Sequence, residues 1–164
     1  MSNKREDILA LLEGNSRLLP EDIAERLGLS AEFVSEELGR MCDEQIICGY
    51  NTLINWDKTD RDFVTALIEV RVTPQRGLGF DKIAERIYRF DEVKAVYLMS
   101  GGFDLTVIID GSNIKEVAYF VSDKLAPLES VLSTATHFVL KKYKDHGIIL
   151  EKWREDDGRM IISP

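Results

Sequence analysis

The sequence is poor in the groups from which covalent or metal-held frameworks are built. Its two cysteines, Cys42 and Cys48, are separated by five residues, with no CxxC spacing and no neighbouring ligand cluster. That excludes a disulfide scaffold and a zinc ribbon and leaves two thiols in a reducing compartment. Only two histidines occur, His137 and His146. No Ser/His/Asp set, metal-ligand spacing or phosphate-cradling glycine loop accompanies them. No apolar run approaches the roughly 20 residues that a membrane span needs. The amino-terminal stretch MSNKREDILALLEG is charged and amphipathic, without a signal core or a small-residue cleavage site. The expectation is a cytoplasmic protein with no membrane association, no catalytic residues, no metal and no cofactor. Positive charge is scarce in one region. Residues 1–60 hold six cations against thirteen acids, whereas residues 61–164 hold fifteen against sixteen, within a net charge of −8. A basic face is the usual electrostatic footprint of nucleic-acid binding, and the first 60 residues lack it.

What is present is apolar residue in quantity, 45% of the 164 residues, enough for one large or two small packed domains. Apolar periodicity predicts a first helix over about residues 4–14, with Ile8, Leu9, Leu11 and Leu12 in a stripe, ended by Gly14 and Asn15. Pro20 suits the first turn of a second helix, in which Ile23, Ala24 and Leu27 face inward. Gly28 supplies a sharp turn, and Ser30 is an N-cap for a third helix whose buried face is Val34, Leu38 and Met41, with Phe33 at its margin. This is the outline of a helix-turn-helix. The stretch QIICGYNTLINW, with two apolar pieces around Gly49 and Asn51, predicts a short β-wing. A small helical packing module with no DNA role fits the same pattern.

If the third helix reads DNA, its outward residues Ser30, Ala31, Glu32, Ser35, Glu36 and Arg40 are the candidate contacts, with Glu37 alongside. Glutamate accepts a hydrogen bond from cytosine in the major groove, but it also meets phosphate repulsion. Glu36 and Arg40 stand four apart in the favourable order for a helical pair, worth roughly 0.2–0.5 kcal/mol. Weak affinity per copy is the expectation, restored by avidity where several copies assemble.

Beyond the polar joint NWDKTDRD the chain alternates strand and helix. FVTALIEVRVT, EVKAVYLMS, FDLTVIIDG and SVLSTATHFVLKKY read as strands; GFDKIAERIYRF and NIKEVAYFVSDKL read as helices. The first helix is carried by Phe80, Ile83, Ala84, Ile87 and Phe90, the second by Ile114, Val117, Ala118, Val121 and Leu125. Gly101-Gly102 predicts a tight hairpin between the middle strands. The order βαββαβ is the ferredoxin-like plan, with both helices on one sheet face. Phe63, Leu67, Tyr97, Met99 and Ile108 fall on the other face, which predicts an apolar surface covered by a second subunit, sheet against sheet. The fold class is therefore α+β: a winged helix-turn-helix over 1–52, a linker strand over 53–62, a ferredoxin-like effector and oligomerisation domain over 63–143, and an extension over 144–164. In that extension GIILEKW and RMIIS, flanking Asp156-Asp157-Gly158, suggest a hairpin or a flexible tail.

A helix-turn-helix followed by βαββαβ, with LMSGGFDLTVII and then STATHFVLKKY about thirty residues later, resembles the Lrp/AsnC (feast/famine) regulators over about residues 4–143. DKIAERIYRFDEVKAVYLMSGGFDL is similar to a subgroup from low-GC Gram-positive bacteria. The resemblance implies a homodimer assembling into an octamer or similar ring, double-stranded promoter DNA as partner, and a free amino acid as effector bound between dimers. It places that effector at Ser100, Gly101, Gly102, Asp104, Thr134 and Thr136. Exposed glycine N–H groups suit a carboxylate and Asp104 an ammonium, with threonine hydroxyls fixing orientation. Turn-making and capping explain the same residues structurally. Three functions compete: an amino-acid-responsive transcriptional regulator, an amino-acid sensor acting through a protein partner, and an enzyme resembling tetrapyrrole decarboxylases. His137, in an alternating strand, reads as structural and argues against the enzyme.

Overall fold

The computed structural model describes residues 4–74 and 79–151, in two compact units that meet between Leu53 and Ile54. The first unit holds helices α1 (Lys4–Gly14), α2 (Pro20–Leu27) and α3 (Ala31–Asp43). Ile8, Leu12, Ile23, Ala24, Val34 and Met41 form its core. Pro20 opens α2, and the Asp22 carboxylate accepts the Leu19 backbone N–H at 3.0 Å, a half capping box because leucine has no acceptor to return. Gly28 ends α2 in the left-handed region (φ 65°, ψ 38°), and the Gly28 and Leu29 N–H groups both reach the Ala24 carbonyl. Ser30 then caps α3, its hydroxyl accepting the Phe33 N–H at 3.2 Å.

The expected wing is absent: among the described residues no strand pairing occurs over residues 44–63. Gln45 turns the chain at φ 57°, the Ile46 and Ile47 N–H groups fold back on the Met41 carbonyl, and Ile47 packs on the helical core. Cys48 spends its thiol on the Gln45 carbonyl at 3.2 Å. The linker expected as a strand over 53–62 contains instead a single 3-10 turn, Trp56–Lys58.

The second unit has a four-stranded antiparallel sheet of β1 (Val64–Val72), β2 (Val93–Leu98), β3 (Leu105–Gly111) and β4 (Val131–Phe138) in the order β2-β3-β1-β4. β3 lies between β1 and β2, which is the split βαβ plan. Helix α4 (Asp81–Tyr88) and helix α5 (Ile114–Phe120), continued by a π turn (Val121–Leu125), cover one face. Alternation along β1 and β3 buries Ala66, Ile68, Val70, Val72, Leu105, Val107 and Ile109 against Ile83, Ile87, Val117, Phe120 and Leu125. Phe90 and Phe120 meet edge to face at 5.6 Å. Gly111 lets α5 approach closely, since a Cβ there would stand 3.3 Å from the Val117 methyl.

Three expectations change here. Ile114 and Ala118 are exposed, and Phe120 takes the inward place; the π turn then adds the residue needed to bring Leu125 back to the core. The turn between β2 and β3 is a six-residue loop, closed by the Met99 N–H on the Asp104 carbonyl at 2.8 Å, not a two-residue hairpin. The open sheet face is mixed rather than apolar: Leu67, Ile108, Ala95 and Tyr97 share it with Thr65, Glu69, Arg71, Thr106, Asp110 and His137. After β4, β5 (Lys144–Asp145) and β6 (Ile148–Ile149) form a small hairpin about His146-Gly147, both with positive φ (43° and 79°). The hairpin anticipated about Asp156-Asp157-Gly158 lies outside the described residues.

Gly28→Ala is expected to lower the unfolding free energy by about 1–2 kcal/mol, the strain of a Cβ in left-handed backbone. Ile23→Ala, which empties a fully buried site, costs roughly 2–5 kcal/mol. Urea denaturation followed by circular dichroism measures both, and near-zero effects would contradict this turn and core.

Candidate nucleic-acid and effector sites

On α3, Glu32, Ser35, Glu36 and Arg40 are exposed as anticipated, together with the capping Ser30. Ala31 is half-buried and packs on the helical core, so it is withdrawn from the outward face. Glu37 is the larger departure. It is buried, with 6% of its surface exposed, and takes the inward place expected of Leu38. Its carboxylate accepts the Arg5 Nε–H at 2.6 Å and an Arg40 Nη1–H at 2.7 Å. Arg5 also forks onto Glu44 at 2.8 and 3.2 Å, and Arg40 reaches Glu36 at 3.4 Å. A buried carboxylate needs such partners, because desolvation without them is costly.

This network resolves part of the charge problem posed by the acidic helix. One of its three glutamates is neutralised internally, by a cation that lies 32 residues away in the chain. The same bonds hold the Arg40 guanidinium in place while leaving it 58% exposed. No periodic signal marks Glu37, since only the fold brings Arg5 of α1 to it. Lys4 stands over the Phe33 ring at 5.3 Å, a second cation brought to α3 from α1.

Hydrogen bonding from Arg5 holds the Glu37 and Glu44 carboxyls below their ordinary value, and raises the Arg5 guanidinium in turn. A carboxylate whose folded pKa is depressed contributes stability that is present above its unfolded pKa and lost as pH falls through the folded value. The stability difference between the native chain and Glu37→Gln should therefore be largest at neutral pH and shrink on acidification from about pH 5 toward pH 3. Urea midpoints across that range test it; a difference independent of pH would contradict the ion-pair assignment.

The second group of residues sits at one end of the sheet. Ser100, Gly101 and Gly102 are exposed in the β2–β3 loop. Neither glycine has positive φ, and a Cβ at either would meet nothing within 4 Å. The protomer's own fold therefore does not demand glycine there. Asp104 donates its backbone N–H to the Val70 carbonyl at 3.1 Å, and its Oδ2 accepts the Val72 N–H at 2.9 Å, so half of its carboxylate serves the sheet. Thr134 and Thr136 pair with Val70 and Ile68 and share the helix-covered side of the sheet, both half-buried. Leu105, Val70 and Thr134 form one row, placing the loop and the threonines two strand spacings apart, about 10 Å. The structure thus brings these residues to one end of the sheet, on either side of β1. His137 lies on the other face, its Nε2 at 3.3 Å from Glu69.

Three helices with an intact turn, and a βαββαβ unit with an open loop at one sheet end, define a helix-turn-helix regulator carrying a ligand-binding domain. Residues 65–149 match the model of the Lrp/AsnC ligand binding domain. The uncharacterized HTH-type transcriptional regulator YugG of Bacillus subtilis (strain 168) is 48% identical over 165 residues, covering 100% of this chain and 99% of its own. Among solved structures, the regulator NMB0573 of Neisseria meningitidis in complex with L-Met superposes with a TM-score of 0.70 at 23% identity, over 88% of this chain and 93% of its own. Escherichia coli AsnC superposes with a TM-score of 0.65 at 20% identity, over 87% and 93%. The chain belongs to the Lrp/AsnC family of transcriptional regulators, and its relatives are DNA-binding regulators rather than enzymes. No helix among the described residues is long and apolar enough to cross a membrane.

Proposed function

We propose that this chain is a sequence-specific regulator acting on promoter DNA in the cytoplasm, tuned by a free amino acid that its second domain binds between dimers. The observation that carries this reading is the intact helix-turn-helix geometry in the first unit. Gly28 at φ 65°, the Ser30 cap and the buried Val34 together fix the angle between α2 and α3 that a groove-reading helix requires. Glu32, Ser35, Glu36 and Arg40 then face the DNA. Identity to a helix-turn-helix regulator over the whole chain supports the same conclusion. The effector contacts are Ser100, Gly101, Gly102, Asp104, Thr134 and Thr136. Glycines that the fold does not require suit a loop approached by a ligand or by another subunit. The 10 Å between the loop and the threonines favours a site completed by more than one protomer of a homodimer or larger ring. Such an effector shifts DNA affinity by favouring one arrangement of dimers.

A second reading, an amino-acid sensor acting through a protein partner, is favoured by one observation: the first 60 residues carry a net charge of −7. Fluorescence anisotropy on the DNA upstream of the chain's own gene separates the two, with and without the common amino acids. Saturable, salt-sensitive binding altered by amino acids is expected; no binding at low salt under either condition selects the sensor. Glu32→Lys with Glu36→Lys should raise DNA affinity and steepen its salt dependence. An unchanged slope would mean that α3 lies away from the phosphates. Gly102→Ala should change stability by less than about 0.5 kcal/mol while weakening the amino-acid response; calorimetry and the same anisotropy assay read both.

A further inference from the structure

At the end of the sheet opposite the glycine loop lies a cavity of about 310 Å3, lined by aromatic and oppositely charged side chains. Its volume falls near the lower end of the ~300–1,000 Å3 range of small-molecule sites. β3 runs from Leu105, beside the loop, to Gly111 at the cavity, so the two places are about 20 Å apart. The wall is Trp56 and Phe63, with ring centroids 5.7 Å apart. Arg61 stacks its guanidinium on Trp56 at 4.7 Å and stands 6.0 Å from Phe63. Stacking fixes the plane of the fork and leaves its edge free for two parallel hydrogen bonds to a carboxylate.

Across the cavity, Asp110 accepts the buried Thr65 hydroxyl at 2.9 Å through Oδ1, which leaves Oδ2 as an acceptor. Lys94 is the extra residue of the bulge between Val93 and Ala95, a device that re-aims a side chain. Asp62 and Glu116 complete the charged lining, and Glu116 already accepts the Ser112 backbone N–H at 2.6 Å through Oε2. Among the described residues, none of Arg61, Lys94, Asp62, Asp110 and Glu116 forms an ion pair, although both signs line one cavity. Two cations face three carboxylates, one of which, Glu116, is already bonded to the Ser112 N–H, so groups of both signs remain for a small molecule bearing both charges. The geometry points to a second zwitterion site here, separate from the glycine loop: a free α-amino acid with its carboxylate on Arg61, its ammonium on Asp110 and an apolar side chain against Trp56 and Phe63.

Isothermal titration calorimetry of the full chain with each of the twenty common L-amino acids tests this. The tightest ligand is then compared with its N-acetyl and carboxamide derivatives. The expected result is a binding class weakened about ten- to a hundredfold by Arg61→Gln and by Asp110→Asn, abolished by blocking either end of the amino acid, and indifferent to Gly102→Ala. Both substituted side chains are at least partly exposed, so folding is retained, and circular dichroism checks it. Absence of any Gly102-sensitive class would sink the glycine-loop reading and leave this one standing. The inference is overturned if no amino acid binds, or if every class survives Arg61→Gln and Asp110→Asn. It is equally overturned if those variants change only the monomer–dimer balance in sedimentation, which would assign the charges to a second copy.

Discussion

Strand β1 is hydrogen-bonded along both edges, to β3 from Val64 to Val70 and to β4 from Ala66 to Val72. Its inward residues Ala66, Ile68, Val70 and Val72 are the apolar centre on which both helices pack. Each such side chain, fully buried, is worth on the order of 1.5–3 kcal/mol for the larger ones. The same backbone fixes the chemistry at the sheet's ends. Near its C-terminal end, the Val70 carbonyl and Val72 N–H hold Asp104, while Val70 and Ile68 set the row of Thr134 and Thr136. At its N-terminal end, Thr65 holds Asp110. A one-residue slip of β1 would turn its apolar set outward and dismantle both ends at once.

In the helical unit the comparable constraint is a single buried carboxylate. Glu37 is tolerated only because α1 delivers Arg5 and α3 supplies Arg40 three residues on. The arrangement joins α1 to α3 by charge as well as by the packing of Ile8 and Leu12. It also ties Arg40, which stays 58% exposed, to two glutamates of its own helix. The outward face retains Glu32 and Glu36, so on the proposed reading few counterions would be released on DNA binding and affinity per copy would be low. Several linked copies raise the effective concentration and offset that weakness without any new contact.

Much of this architecture was legible in the sequence because it is periodic or local. The i, i+4 pairing of Ile83 with Ile87, the alternation of Ala66, Ile68, Val70 and Val72, and the Gly28–Ser30 turn each follow from neighbours within a few residues. What was not legible depends on distant partners or on phase. Glu37 reads as a surface glutamate until Arg5 is placed beside it. Phe120 joins Val117 in the core three residues on, and the π turn after it shifts the helical phase to return Leu125, which a fixed 3.6-residue period misses. Gly101-Gly102 suggested a tight turn, yet the closing bond is between Met99 and Asp104, and the glycines are left without a structural task. The proposed effector residues follow from the family likeness and not from spacing. Arg61 and Asp110, 49 positions apart, meet at one cavity only because Asp110 pairs with Thr65 at the start of β1.

This dependence on β1 limits how a ligand at either end can act. Register cannot carry a signal, since sliding the ladder costs the whole apolar core. Small rearrangements within a close-packed sheet are resisted for the same reason. What remains free to change is what lies outside the protomer: the approach of another copy to the open face, where Leu67, Ile108 and Tyr97 sit beside the Glu69–His137 pair, or to the glycine loop. A ligand shifts such an equilibrium only by its difference in affinity for the two arrangements. A site that one protomer completes alone, as at Arg61 and Asp110, gives little difference unless a second copy changes the cavity. A site divided between protomers gives a large one, because it exists in only one arrangement. The spacing of loop and threonines across β1 therefore favours the glycine-loop end as the place where an effector controls assembly.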